Sequence, residues 1–282
     1  MKIFSNKPLF TISFRRRHIL MIILLLIAGG FGYSVYFRMF MTLPQTAINT
    51  ITELRKSAKD QNIIVFAPHC DDESLGAGGL INRATKEGSR VKVVLVTDCN
   101  KHNIGSMRKK ESISALSVLG VSSSNVSFLN FPEGQENHSD QEKADLKKNL
   151  QKEIDSFQPT LVVAPHPQDT HVDHKLIGTL LKQIVTGNDL NNQTIYYLIH
   201  FNFLKYPLPA GLKPDAYLLP PARLISFTDK WYKLSLTSEE EDQKEEAILK
   251  YKSQLKRTNP VLYRVLLDFV RRNELFMTNG EI

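Results

Sequence analysis

His69, Asp71, Asp72 and Glu73 crowd into one short stretch of the run Ile63 to Leu80, I-I-V-F-A-P-H-C-D-D-E-S-L-G-A-G-G-L. Three adjacent carboxylates in a turn repel one another, so positive charge is expected beside them, and next to a histidine a divalent metal supplies it most simply. A second stretch, L-V-V-A-P-H-P-Q-D-T-H-V-D-H-K from Leu161 to Lys175, repeats the pattern of apolar strand, proline and polar turn. In it His171 and His174 are three apart, which places both rings on one face if the segment after Thr170 is helical. Together the two turns offer His, Asp and His. That is the ligand count of a catalytic zinc site, which keeps a further position open for water.

Such side chains need elements to carry them to one place. Ile63 to Ala67 reads as a strand that Pro68 ends, and a Gly-rich helix from Ser74 to Glu87 follows. Strands are then expected at Val91 to Thr97, Val126 to Asn130, Leu161 to Pro165 and Thr194 to Phe201. Helices are expected at Ser106 to Leu119, Asp140 to Phe157 and Thr170 to Val185. This alternation predicts an α/β fold, a Rossmann-like and mostly parallel sheet with helices on both faces. Ligands of such sheets bind beyond the carboxyl ends of the strands, where His69, Asp71, Asp72, His171 and His174 all fall.

The last third is less regular. Prolines interrupt residues 207 to 221, a short strand is expected at Arg223 to Ser226, and Ser238 to Lys256 reads as one helix with acids first and lysines last. An apolar helix from Pro260 to Arg271 is expected to close the chain. Trp231, Tyr196, Tyr197, Phe201 and Phe203 read as core rather than as a sugar platform.

Ahead of all this, residues 19 to 37 carry no charge, about the length that crosses a hydrocarbon layer ~30 Å thick. The stretch reads as a transmembrane anchor. A cleaved signal peptide is the alternative, although the apolar run is long for one. Lys2, Lys7, Arg15, Arg16 and Arg17 precede it without an acid, which orients the N-terminus to the cytoplasm and the remainder outward. The expected organisation is a basic N-terminus over 1–18, an anchor over 19–41, a linker over 42–60 and a catalytic domain over 61–282. The formal charge of +7 is mostly topogenic: of 36 Lys and Arg, five precede the span, leaving 31 against 29 Asp and Glu. No nucleic-acid partner is expected. Two cysteines, Cys70 and Cys99, are too few for a disulfide framework; both fall at ends of adjacent strands, where they either pair or remain separate thiols.

The segment P-H-C-D-D-E-S-L-G-A-G-G resembles the (A/P)-H-P-D-D-E signature of the PIG-L/LmbE superfamily of zinc-dependent N-acetylglucosaminyl deacetylases. His171-Val172-Asp173-His174 resembles its second signature, H-x-D-H. Arg108-x-x-Glu111, the turn Phe131-Pro132-Glu133-Gly134 and Tyr251-x-Ser253-Gln254 agree in order, so the resemblance covers about residues 60 to 257. Cys70 stands where the family usually has proline. The resemblance implies that His69, Asp72 and His174 bind Zn2+ or another divalent metal, that Asp71 is the general base, and that His171 stabilises the oxyanion or acts as acid. It implies a GlcNAc-containing glycan or glycolipid as substrate. Asp173 is expected to orient or charge His171. Arg108 is expected either to contact substrate or to form a helix-surface ion pair with Glu111.

Other readings remain open from the residues. The motifs describe the reacting amide and not its substituents, so another amino-sugar or a thiol conjugate is an alternative substrate. A nucleotide- or glycan-binding module is the non-catalytic alternative, since G-A-G-G loosely resembles a dinucleotide fingerprint with Asp98 in the place of a ribose-binding acid. Asp71, Asp72 and Glu73 would repel a pyrophosphate there, and the glycines are better explained as letting a helix pack closely on the sheet. His102, His138, His166 and His200 read as structural or exposed.

Overall fold

The computed structural model describes residues 15–40, 43–54, 59–134, 137–201, 206–207, 216–226, 229–257 and 266–278. The chain divides into two compact units, Met1–Leu43 and Pro44–Ile282. In the first, Arg16–Phe40 form helix α1, whose apolar side chains from Ile19 to Tyr36 are exposed. Among the described residues it is the one helix long and apolar enough to cross a membrane.

The second unit is built on an eight-stranded sheet. Its strands are β1 (Thr52–Glu53), β2 (Asn62–Ala67), β3 (Arg90–Thr97), β4 (Val126–Phe131), β5 (Leu161–Pro165), β6 (Thr194–Tyr197), β7 (Lys230–Ser235) and β8 (Asn273–Thr278), in the spatial order β1-β7-β8-β6-β5-β2-β3-β4. The five from β2 to β6 run parallel. Counted among themselves they lie in the order three, two, one, four, five, so chain direction reverses between β2 and β5. A crevice opens at such a point beyond the strand ends.

After Asn62, strand β2 is apolar because both of its faces are covered. Ile63, Val65 and Ala67 join one core with helices α2 (Asp72–Lys86) and α3 (Gly105–Val118), while Ile64 and Phe66 join another with α4 (Asp140–Phe157) and α5 (Val172–Gly187). Alternation alone assigns them, since successive strand residues face opposite ways. On α4 the buried Leu146, Leu150 and Ile154 recur every fourth position, and a capping box of Ser139 and Glu142 starts the helix.

Helix α2 explains its glycines. A Cβ on Gly76 would stand 2.3 Å from the Tyr197 ring, and one on Gly79 would stand 2.5 Å from Leu236. The backbone kinks at Ala77, and the Glu274 carboxylate accepts the N–H groups of Gly79 and Leu80 at 2.7 and 2.9 Å. With those amides occupied and the glycines packed against side chains, the segment holds no cradle for a pyrophosphate.

Several expectations for the remainder are corrected. Residues 42–60, expected as linker, contribute β1, which pairs in parallel with β7. Arg223 to Ser226 is no strand: a 3-10 turn occupies Ala222–Leu224, and the strand starts at Lys230. The helix expected over Ser238 to Lys256 is two, α6 (Ser238–Ile248) and α7 (Lys252–Arg257), because the Glu111 carboxylate caps the backbone N–H of Ser253 at 2.8 Å and starts a new turn there. Of the closing helix expected at Pro260 to Arg271, residues 258–265 lie outside the described ones. Beyond them β8 inserts antiparallel between β6 and β7, so this edge of the sheet is not parallel. Strand β6 stops at Tyr197, short of Phe201, because the N–H groups of Ile199 and His200 turn to the Asp169 carboxylate.

Candidate metal centre and active site

The turn after β2 delivers His69, Asp71 and Asp72. Asp71 caps α2 with φ at +138°, a backbone region rarely occupied outside glycine and costing of order 1–3 kcal/mol. The turn after β5 delivers His171 and His174, in a way the spacing did not anticipate. His171 is the N-cap of α5 in extended conformation, and its Nδ1 accepts the N–H of Asp173 at 3.3 Å. The two histidines therefore do not share a helical face, yet their ring centres lie 5.4 Å apart.

Three donor atoms converge. His174 Nε2 lies 2.9 Å from Asp72 Oδ2 and 3.2 Å from His69 Nδ1, and His69 Nδ1 lies 3.3 Å from Asp72 Oδ2. Donors about 2.0–2.1 Å from a tetrahedral ion are spaced about 3.3 Å from each other, so this triangle fits one divalent metal. His171 also has a ring nitrogen within 4.8 Å of those of His69 and His174. The closer Asp72 oxygen makes the better third donor, leaving His171 toward the cleft.

Each donor is aimed from behind. Asp72 Oδ2 accepts the His69 backbone N–H at 2.8 Å. Asp173 Oδ2 accepts from His69 Nε2 at 2.8 Å and from the Gly134 N–H at 2.8 Å, leaving His69 Nδ1 for the ion. Asp173 thus serves His69 rather than its neighbour His171, from which it stands 3.9 Å; residues two apart at a helix start do not face each other. Asp169 Oδ2 lies 3.3 Å from His174 Nδ1, and Oδ1 accepts the His171 N–H at 2.9 Å. Nothing in the motif reading singled out Asp169. An aspartate two residues before a helix N-cap is the available signal, and it is common in ordinary turns.

Electrostatics divide the acids. Burial raises Asp71 to about 7 against the pull of Arg108, so without an ion this carboxylate is poised near neutrality. Burial also opposes ionisation of Asp72, but the charges and hydrogen bonds of His174 and His69 outweigh it and hold Asp72 well below the carboxylate range. Glu73, wholly buried, is raised to about 8 by burial despite the hydroxyl of Tyr251 that bonds it. For His69 burial works downward, and the bonds to Asp173 and Asp72 overcome it to reach about 9. Burial and the neighbouring His69, His174 and His200 push His171 down to about 4. The His171 Nδ1 accepts the Asp173 N–H, which leaves Nε2 as the ring nitrogen able to donate.

Arg108 is 4% exposed and committed to protein partners: Nη1 donates to the Glu133 carboxylate at 3.2 Å and Nη2 to the Cys70 carbonyl at 3.1 Å, with Asp71 Oδ2 at 3.8 Å. Arg108 does not pair with Glu111, which bonds Ser253 instead. Cys70 and Cys99 form a disulfide. His166 stacks on Trp231 at 5.6 Å, His138 packs on Phe131, and His102 is exposed, so none joins the site. His200 does reach its edge, with its ring centre 4.6 Å from that of His174. A cleft of about 580 Å³ opens beside His171, walled by Asp98, Asn100 and Lys101 after β3, Glu133 and Gly134 after β4, and Thr170.

Residues 64–185 match the family model for GlcNAc-PI de-N-acetylase, PIG-L. Diacetylchitobiose deacetylase of Thermococcus kodakarensis is 25% identical over 168 residues, 55% of this chain, which spans 57% of that relative's length. Among solved structures, N,N'-diacetylchitobiose deacetylase from Pyrococcus horikoshii superposes with a TM-score of 0.56 at 21% identity, covering 85% of this chain and 94% of that one. A deacetylase of teicoplanin biosynthesis gives 0.57 at 18% identity, covering 76% and 96%. These structures share the fold, and the family match covers both turns that carry the converging side chains. The match to the PIG-L family model thus spans residues 64–185 of this chain.

Proposed function

We propose that this protein is a membrane-anchored, metal-dependent hydrolase that removes the N-acetyl group from a GlcNAc-containing glycan or glycolipid, releasing acetate and a free amine. One observation carries the reading: His69, Asp72 and His174 present a triangle of donors sized for one ion, with Asp71 next to Asp72 in the chain and His171 lining a cleft beside it. The deacetylases named above support the reaction class. Zinc is the metal we favour, from the mixed nitrogen and oxygen donor set.

When bound, the ion supplies Lewis-acid polarisation of the acetyl carbonyl and of the attacking water. Asp71 takes a proton from that water as it adds to the carbonyl carbon, and later delivers it to the departing amine. His171 Nε2–H donates to the carbonyl oxygen as negative charge grows there, a contribution typically of ~10²–10³ in turnover for one such donor. Asp169 and Asp173 hold His174 and His69 with the correct nitrogen forward. Arg108 braces Asp71 and the Cys70 carbonyl, a role its burial favours over contact with substrate.

The N-terminal helix would keep this chemistry beside membrane-linked or surface polysaccharide, with the basic residues ahead of it inside and the sheet unit outside. The test uses the full chain in detergent micelles with N-acetylglucosamine oligomers, following zinc content and acetate together. Chelator-sensitive acetate release is expected, with Asp71→Asn retaining zinc and losing ~10²–10⁴ in turnover. Zinc without acetate from any amino-sugar would move the reaction to another amide, and a chain that binds no divalent ion would return the reading to a binding module.

A further inference from the structure

The metal turn is fastened in a manner that nothing in its ligand set requires. Cys70 lies between His69 and Asp71, and Cys99 lies two residues beyond the end of β3 with φ at +55°. Both are fully buried. The last bridged pair of β2 and β3 is Ala67 with Leu95, after which the strands would be free to part. Instead the Thr97 N–H reaches the Pro68 carbonyl at 3.0 Å, the Cys70–Cys99 bond follows, and Arg108 donates to the carbonyls of both half-cystines, at 3.1 Å to Cys70 and 3.5 Å to Cys99. The cross-link thus extends the strand register into the turn that holds His69 and Asp72, one residue before Asp71 with its φ of +138°. A proline at position 70 would stiffen the same turn through its ring.

We propose that the Cys70–Cys99 disulfide is a positioning cross-link for the metal turn, so that full affinity for the divalent ion requires an oxidising compartment. This rests on the metal reading above. Two thiols form the bond by exchange with a small-molecule disulfide such as oxidised glutathione, which accepts the two electrons and two protons and leaves as two thiols; a thiol reductant reverses it with the same balance. Such bonds persist outside the reducing cytosol, in agreement with the outward orientation proposed for this unit.

The experiment takes the full chain in micelles, prepared oxidised and reduced, with thiols counted by mass after alkylation of a portion of each sample. Zinc affinity is read by competition with a chromophoric chelator, and folding by circular dichroism. The oxidised chain is expected to bind one zinc, the reduced chain to bind it at least ~10-fold more weakly, and re-oxidation by oxidised glutathione to restore the affinity, by analogy with losses on removing supports around a metal site. The double variant Cys70→Pro with Cys99→Ala is expected to bind tightly whether or not reductant is present, which separates a stiffening role from mere loss of fold. Equal affinity in the two redox states overturns the proposal. So does tighter binding on reduction accompanied by a cobalt–thiolate absorption band, which would make the cysteines ligands. If the oxidised chain binds no zinc, the metal reading itself fails, a result distinct from either.

Discussion

Along helix α2 the protein buries charge in two places on opposite plans. At its first turn Asp72 meets His69 and His174, with three donor atoms mutually 2.9–3.3 Å apart and a cleft lined by His171 alongside. At the kink near Ala77, Lys244 and Glu274 meet at 2.7 Å, each at most 1% exposed, and Glu274 also takes the two amides that the kink frees. The second group is closed: one cation faces one anion, and the anion has further donors. The first is open: two ring nitrogens and one carboxylate oxygen crowd together, and no single cation is matched to a single anion. Burial alone therefore does not mark a functional site; what marks it is where the polar atoms aim.

The sharpest break in this comparison comes from opening the closed pair. Lys244→Met leaves Glu274 buried with only two amide donors, and loss of one partner of a buried pair costs about 3–5 kcal/mol. Urea unfolding is expected to show that loss, while zinc bound per folded molecule stays at the wild-type value. If zinc binding fell in parallel with stability, the two charge groups would be one unit and the contrast would be wrong.

The open group should answer in the other currency. Asp173→Asn weakens the hold on His69 without emptying the space behind it, so zinc affinity is expected to fall ~10–100-fold. Unfolding measured in chelator should shift by less than about 1 kcal/mol, because the amide oxygen still accepts the Gly134 N–H. A large stability loss with unchanged affinity would assign Asp173 to the fold instead.

How much of this was readable in advance follows from the same distinction. The parallel half announces itself through local pattern: Leu161–Pro165 and Asp140–Phe157 fall where periodicity and capping place them. The turns carrying His69, Asp72 and His174 follow, since they end those strands or begin the helices after them. What stays hidden depends on pairing across long separations. Strand β8 is buried at every position and adjoins β6 and β7 from across the chain, so neither alternation nor a hairpin turn betrays it. Lys244 and Glu274 look like surface charges in a sequence, and only their mutual contact keeps them inside. Arg108 was visible as a residue but not as a brace, because Glu133, Cys70 and Asp71 come together around it only when β2, β3 and β4 are in register. Asp169 is hidden by its ordinariness, a polar turn residue whose four oxygen contacts reach His171, His174, Ile199 and His200.

A third charge site on α2 lies between the two plans and gives the smallest effect. Arg83 donates to both oxygens of Glu240, each at 2.7 Å, and Glu240 completes the capping box of α6 with Thr237. Burial alone would raise the Glu240 pKa, but the bonds from Arg83 and Thr237 outweigh it and hold it below 4.5. A depressed carboxylate contributes stability that is present above its unfolded value and is lost as pH falls through the folded one. Glu240→Gln keeps a side chain able to accept from Thr237 and removes the charge, so about 1–2 kcal/mol of stability is expected to disappear at neutral pH. The gap between wild type and variant should hold from pH 7 down to about 5, then narrow and close as the wild-type carboxylate takes its proton. Thermal unfolding across that range checks it. A gap independent of pH would mean that shape, rather than charge, is what Glu240 brings to the end of α2, and would place this site with the closed pair whose partners are matched atom for atom.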